Sequence, residues 1–137
     1  MKKRIPIALL LLALRTAAAS ADCLDDAAVY HHVSPALARA MAMQESSMNP
    51  AAVNTNANGS RDIGLLGINT MHLPELAKYG ITEQSLFDRC INAYVGMWIA
   101  AQNFARYGYT ASGLGAYNAA SPEKRLEYAR RVLARLR

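Results

Sequence analysis

The sequence is poor in the side chains that build metal centres. Its 137 residues include two cysteines and three histidines. His31 and His32 are adjacent, so they do not share a helix face. His72 lies forty residues further on, with no cysteine or carboxylate at metal-ligand spacing. This pattern argues against a metal site, and nothing in the composition calls for a cofactor. Long apolar runs are equally scarce. Ile5 to Leu14 is continuous for about ten residues, too short for a permanent bilayer span, and no other stretch is longer. Internal repeats and low-complexity linkers are missing as well. The length suits one domain and not comfortably two.

The start of the chain has the marks of export. Met1-Lys2-Lys3-Arg4 is a positive segment, Ile5 to Leu14 an apolar core, and Ala19-Ser20-Ala21 a small-residue cleavage site. Residues 1–21 therefore read as a secretory signal peptide, with an uncleaved membrane anchor as the alternative, and residues 22–137 as the working domain. Asp22 stands where a lipid-attachment pattern before Cys23 would need a small residue. Without residues 1–21 the formal charge drops from +5 to +1. Residues 22–120 carry five Lys/Arg against eight Asp/Glu, a net −3, and residues 121–137 six against two, a net +4. So uneven a charge argues against nucleic acid as partner, because only the last helix is basic. In an oxidising compartment Cys23 and Cys90 are expected to pair, free buried thiols being the alternative.

Most of the chain reads as helix. Asp22 to Tyr30 is a short first helix. Ser34 is a good N-cap, Pro35 fits the first helical position, and the run beyond is stopped at Asn49-Pro50. Asn54 to Ser60 is turn chemistry and is expected to be a surface loop. Arg61 to Asn69 is an apolar strip punctuated by Gly64 and Gly67. It fits a short strand, a hairpin or a distorted helical turn, and periodicity does not decide. Leu73 to Tyr79 is a short helix stopped by Gly80. Ile91 to Tyr107, apolar nearly all round, is expected at the centre of a bundle, with Gly96 allowing a close neighbour. Ser121-Pro122 starts a last helix that keeps Leu126, Tyr128, Ala129, Val132, Leu133 and Leu136 for packing and turns its arginines outward.

One carboxylate stands out. Glu45 falls at the end of the Pro35 helix, where the macrodipole presents its negative end, beside Leu37, Met41 and Met48. Both the dipole and partial burial disfavour its ionised form and raise its pKa, as suits a general acid. The plain alternative is a surface Glu at a fraying helix end.

Three short pieces then occur in order: Glu45-Ser46-Ser47-Met48-Asn49-Pro50, Gly64-Leu65-Leu66-Gly67-Ile68-Asn69 and Ala116-Tyr117-Asn118-Ala119. Together they resemble the lytic transglycosylase domain. More narrowly, they are similar to the small exported members that accompany type III and type IV secretion, conjugation and pilus systems. The resemblance covers residues 23–135. It implies a mostly α, lysozyme-like single domain, a bundle of short helices around a buried central one, with at most a small strand or hairpin near 61–69. It also implies cleavage, in the periplasm, of the β-1,4 bond between N-acetylmuramic acid and N-acetylglucosamine of peptidoglycan, without a cofactor or metal.

Carried over by position, Glu45 matches the acid/base and Ser46 the neighbouring hydroxyl. Gly64, Leu65, Leu66, Ile68 and Asn69 match the segment whose backbone approaches the glycan, and Tyr117 and Asn118 the pair lining the cleft. The family usually has Met-Gln at Leu66-Gly67 and glycine at Ala120. The resemblance further implies that Glu45 first gives a proton to the leaving oxygen and then takes one from the muramyl 6-hydroxyl, closing a 1,6-anhydro ring. A lysozyme works instead with two carboxylates and water. Asp62 is the candidate second carboxylate, stabilising a cationic transition state, or else a turn residue paired with Arg61. A non-catalytic peptidoglycan-binding assembly factor, or a hydrolytic lysozyme with the same fold, is the competing function. Arg130, Arg131, Arg135 and Arg137 form either a solvated face or a dock for an acidic partner such as a secretion-machine subunit. A monomer is expected.

Overall fold

Ser34 opens the helix that carries Glu45: its hydroxyl accepts from the Leu37 amide at 3.4 Å, and Pro35 takes the first helical position. In the computed structural model, which describes residues 23–136, this helix is α2 (Pro35–Ser46), preceded by α1 (Cys23–Tyr30). The signal-peptide reading of residues 1–21, and Arg137, lie outside the described residues. Leu37, Ala38, Met41 and Ala42 bury one face of α2. Ser47 and Met48 are left-handed, with φ of 53° and 65°, and their amides return to Met43 and Ala42 carbonyls. The helix therefore ends by reversing on itself, and not at Asn49-Pro50 as the sequence suggests; the proline follows a turn already made.

A three-stranded antiparallel sheet comes next, in the order β1 (Val53–Thr55), β2 (Arg61–Ile63), β3 (Ile68–Asn69). Asn54 and Thr55, expected in a loop, are strand residues paired with Asp62 and Arg61. All three β1 side chains are exposed, so the strand exists through its backbone pairing and leaves no apolar alternation to read. Only Asn56 to Ser60 turns, closed by the Asn56 amide on the Ser60 carbonyl at 2.8 Å. Between β2 and β3 the strip turns tightly, with Leu65 and Leu66 fully buried.

Helix α3 (Leu73–Leu76) runs through a 3-10 turn to Gly80, which is left-handed at φ 72°. Asp88 then caps α4 (Arg89–Tyr107), accepting from the Cys90 and Ile91 amides at 2.9 Å. This 19-residue helix is the centre of the domain, packed by α1 and by α5 (Ala111–Gly115). It is not apolar all round in its setting, since Ile91 and Tyr94 reach the surface. Gly96 lets the strip lie directly on it, because a Cβ there would run into the Leu66 side chain. Cys23 and Cys90 are bonded, Cα to Cα 5.3 Å, tying the start of α1 to the start of α4.

Helix α6 (Pro122–Leu133) packs against α5 and α2 through Tyr128, Ala129 and Val132. Leu126, Leu133 and Leu136, expected inside, are each more than 40% exposed. The short helix offers the core a single narrow stripe. The arginines of α6 and of the residues after it are not simply outward either: Arg125 donates to the Ala119 carbonyl and covers the Tyr107 ring, Arg131 pairs with Glu127, and Arg135 bonds Gln44.

Candidate active site

The site is assembled on the strip between β2 and β3, whose backbone is held from three directions. The buried Asn92 of α4 donates to the Ile63 and Leu86 carbonyls and accepts from the Leu66 amide, each at 2.8 Å. Ser46 of α2 donates to the Leu65 carbonyl at 2.7 Å, and Tyr117 to the Leu66 carbonyl at 2.7 Å. Backbone groups of a tight buried turn, which the ladder cannot pair, are thereby satisfied by side chains from α2, α4 and the segment after α5.

Glu45 lies in the last turn of α2, where the strip passes closest. One carboxyl oxygen, Oε1, accepts the hydroxyl of Tyr128, a residue of α6 that is 1% exposed. Burial pushes the Glu45 carboxyl up to about 7 from 4.5. The Tyr128 hydrogen bond acts in the opposite direction, Asp62 adds to the rise, and Arg131 offsets part of it. Near neutrality Glu45 is thus poised to give or to take a proton. The Tyr117 and Tyr128 rings stack with centroids 6.4 Å apart, and burial, then the nearby Glu45, keeps both hydroxyls protonated well above the usual tyrosine range.

Asp62 is clamped. Oδ1 accepts the Asn69 side-chain amide at 2.8 Å and Oδ2 that of Asn56 at 3.0 Å, while both amides reach the Ser60 hydroxyl at 3.1 Å. The pairing of Asp62 opposite Asn69 across β2 and β3 makes one of these contacts a direct cross-strand one. Arg61, the alternative partner for Asp62, instead engages Glu83.

These groups surround a cavity of about 290 Å³. Of the residues singled out in the sequence, Glu45, Asp62, Ile68, Asn69, Tyr117 and Asn118 line it together. Ser46, Gly64, Leu65 and Leu66 are not on its wall. The two leucines are 0% exposed with their side chains in the core, so they form a floor and offer no side chain to a ligand. Sequence reasoning missed Tyr128, which it assigned to packing, and the Asn56–Ser60 clamp, which it assigned to a loop. The hydroxyl on the buried face of α6 was the available signal, since a buried tyrosine seeks a partner. His72 also lines the cavity, its pKa lowered by burial. Among the described residues no three His, Cys, Asp or Glu side chains gather to hold a metal.

Fold and site together define a class: a mostly helical, lysozyme-like domain with a small sheet and a carboxylate-walled cleft. The particular family follows from residues 22–131, which match the Transglycosylase SLT domain; the chain belongs to that family. It is 38% identical over 131 residues to Invasion protein IagB of Salmonella typhimurium, covering 95% of this chain and 81% of the relative. It is 36% identical over 120 residues to Protein IpgF of Shigella flexneri, covering 84% and 79%. To a Peptidoglycan-binding-like protein of Escherichia coli O157:H7 it is 36% identical over 126 residues, covering 83% and 75%.

Proposed function

We propose that this protein is an exported lytic transglycosylase that cleaves the β-1,4 bond between N-acetylmuramic acid and N-acetylglucosamine, opening peptidoglycan locally for a secretion, conjugation or pilus apparatus. The observation that carries the reading is Glu45, held near neutrality by burial, bonded by Tyr128 and facing a polar cleft. The names of two relatives, one an invasion protein and one peptidoglycan-binding-like, support the apparatus and the polymer.

In the proposed reaction Glu45 begins protonated. The bond from muramyl C1 to the bridging oxygen breaks, and that oxygen takes the Glu45 proton as positive charge develops on the sugar ring. Asp62, fixed by Asn56 and Asn69, stabilises that charge. The muramyl 6-hydroxyl then bonds to C1 and gives its proton to Glu45, so the enzyme returns to its starting state. Tyr117 and Asn118 position the sugar.

Digestion of purified peptidoglycan, with new chain ends counted by mass spectrometry, tests this. The wild type is expected to release 1,6-anhydromuramic ends. Glu45→Gln should lose about 10²- to 10⁴-fold in rate, the usual worth of a general acid or base. Asp62→Asn should lose about tenfold or more while keeping its far-ultraviolet circular dichroism. A folded Glu45→Gln with undiminished activity would refute the assignment of Glu45, and a wild type that releases no new ends would leave peptidoglycan binding without turnover as the function.

A further inference from the structure

The two oxygens of Glu45 have different surroundings. Oε1 takes the Tyr128 hydroxyl. Oε2 faces Gly67, on the cavity wall. A Cβ added at residue 67 would lie 3.0 Å from Oε2 and 3.4 Å from the Glu45 Cβ, and its three nearest heavy atoms all belong to Glu45. Any side chain there would start against the carboxyl and extend over its outer oxygen. With φ at +59°, residue 67 is in the left-handed region that glycine occupies without strain. Glycine leaves Oε2 uncovered toward a cavity whose wall also carries Asn56, Asn58, Ser60 and Asn69, groups that bind water well.

On the reading of this protein as a transglycosylase, we propose that the gap at Gly67 gives the enzyme a second activity, hydrolysis of the same glycosidic bond. The first step is common to both outcomes: the C1–oxygen bond breaks and the departing oxygen leaves with the Glu45 proton. The 6-hydroxyl and a water then compete for C1. Whichever oxygen bonds there passes its proton to Glu45, which is restored in either case. The first route closes the anhydro ring and uses no water. The second adds one water across the broken bond and leaves a free reducing end. A water reaches Oε2 within hydrogen-bond distance, about 2.6–3.2 Å, only where no side chain covers that oxygen, and Gly67 provides this opening. Residue 67 therefore sets the partition between the two products.

The test is product analysis of peptidoglycan digests with the full exported protein, separating anhydro ends from borohydride-reducible ends. Wild type is expected to give both. In Gly67→Asn, whose side chain tolerates left-handed backbone, the ratio of reducing to anhydro ends should fall by about five- to tenfold; Gly67→Ala should shift it in the same direction by less. Wild type giving anhydro ends alone overturns the proposal, whatever the variants do. So does a mixture whose ratio neither substitution changes. If instead wild type, like Glu45→Gln, forms no new ends of either kind, the transglycosylase reading itself has failed.

Discussion

Glu45 concentrates the tension between stability and chemistry in this domain. Its carboxyl ordinarily titrates at 4.5 and does so at about 7 here. A group raised in the folded state contributes stability that is complete below the unfolded value, about pH 4.5, and is lost as pH climbs through the folded value near 7. The shift corresponds to at most about 3 kcal/mol of destabilisation once the group is ionised. Glu45→Gln keeps an acceptor for Tyr128 and abolishes the titration. At about pH 8 the variant should melt roughly 3–10 °C above wild type, with the difference closing at about pH 4. Equal melting temperatures at both values would show that Glu45 is not buried as described. Tyr117 and Tyr128 belong to the same local logic: each hydroxyl is buried, and each finds a partner, the Leu66 carbonyl in one case and Glu45 in the other.

Among the elements, the strip from Gly64 to Gly67 depends most on its neighbours. Too short to pair with itself, it is held by Asn92, Ser46 and Tyr117 and laid on α4 at Gly96. Asn92→Ala leaves the Ile63 and Leu86 carbonyls and the Leu66 amide without their partner. The loss should be about 2–4 kcal/mol in urea unfolding, with peptidoglycan cleavage reduced even where the protein remains folded. A loss under about 0.5 kcal/mol would mean that water or a shifted backbone replaces the asparagine. Legibility in the sequence follows the same division. Helices with strong ends could be read, as Ser34-Pro35 shows, and so could the order of Glu45, the glycine-edged strip and Ala116-Tyr117-Asn118. Strand β1 could not, because its three side chains face solvent and only pairing defines it. The true end of α2 was hidden too, since left-handed Ser47 and Met48 are not the glycine that usually marks such a reversal. Contacts distant in sequence were out of reach: 83 residues separate Tyr128 from Glu45.

For the whole molecule, the Cys23–Cys90 bond closes a separation of 67 residues and secures α1 against α4, the helix on which α5 and β3 also pack. Loop-closure entropy alone assigns such a link about 4 kcal/mol, and measured values are commonly 2–4. Cys23→Ser should therefore lower unfolding free energy by about 2–4 kcal/mol and steepen the urea dependence, because the denatured chain expands. An unchanged midpoint would mean that packing of α1 suffices without the bond. Charge divides the molecule as well. The acidic body carries the cleft, whereas α6 and the residues after it supply both Tyr128 to the site and a basic surface in which Arg125, Arg131 and Arg135 are already engaged within the chain.

In the proposed mechanism Glu45 keeps its proton until the glycan arrives. The pH dependence of kcat/KM on soluble peptidoglycan fragments, which reports the free enzyme, measures this. Wild type should lose activity as pH rises through about 7. In Tyr128→Phe, without the hydrogen bond that lowers the Glu45 pKa, that decline should move to higher pH. A wild-type decline centred near the ordinary carboxylate value of 4.5, or a position unmoved in Tyr128→Phe, would contradict the account.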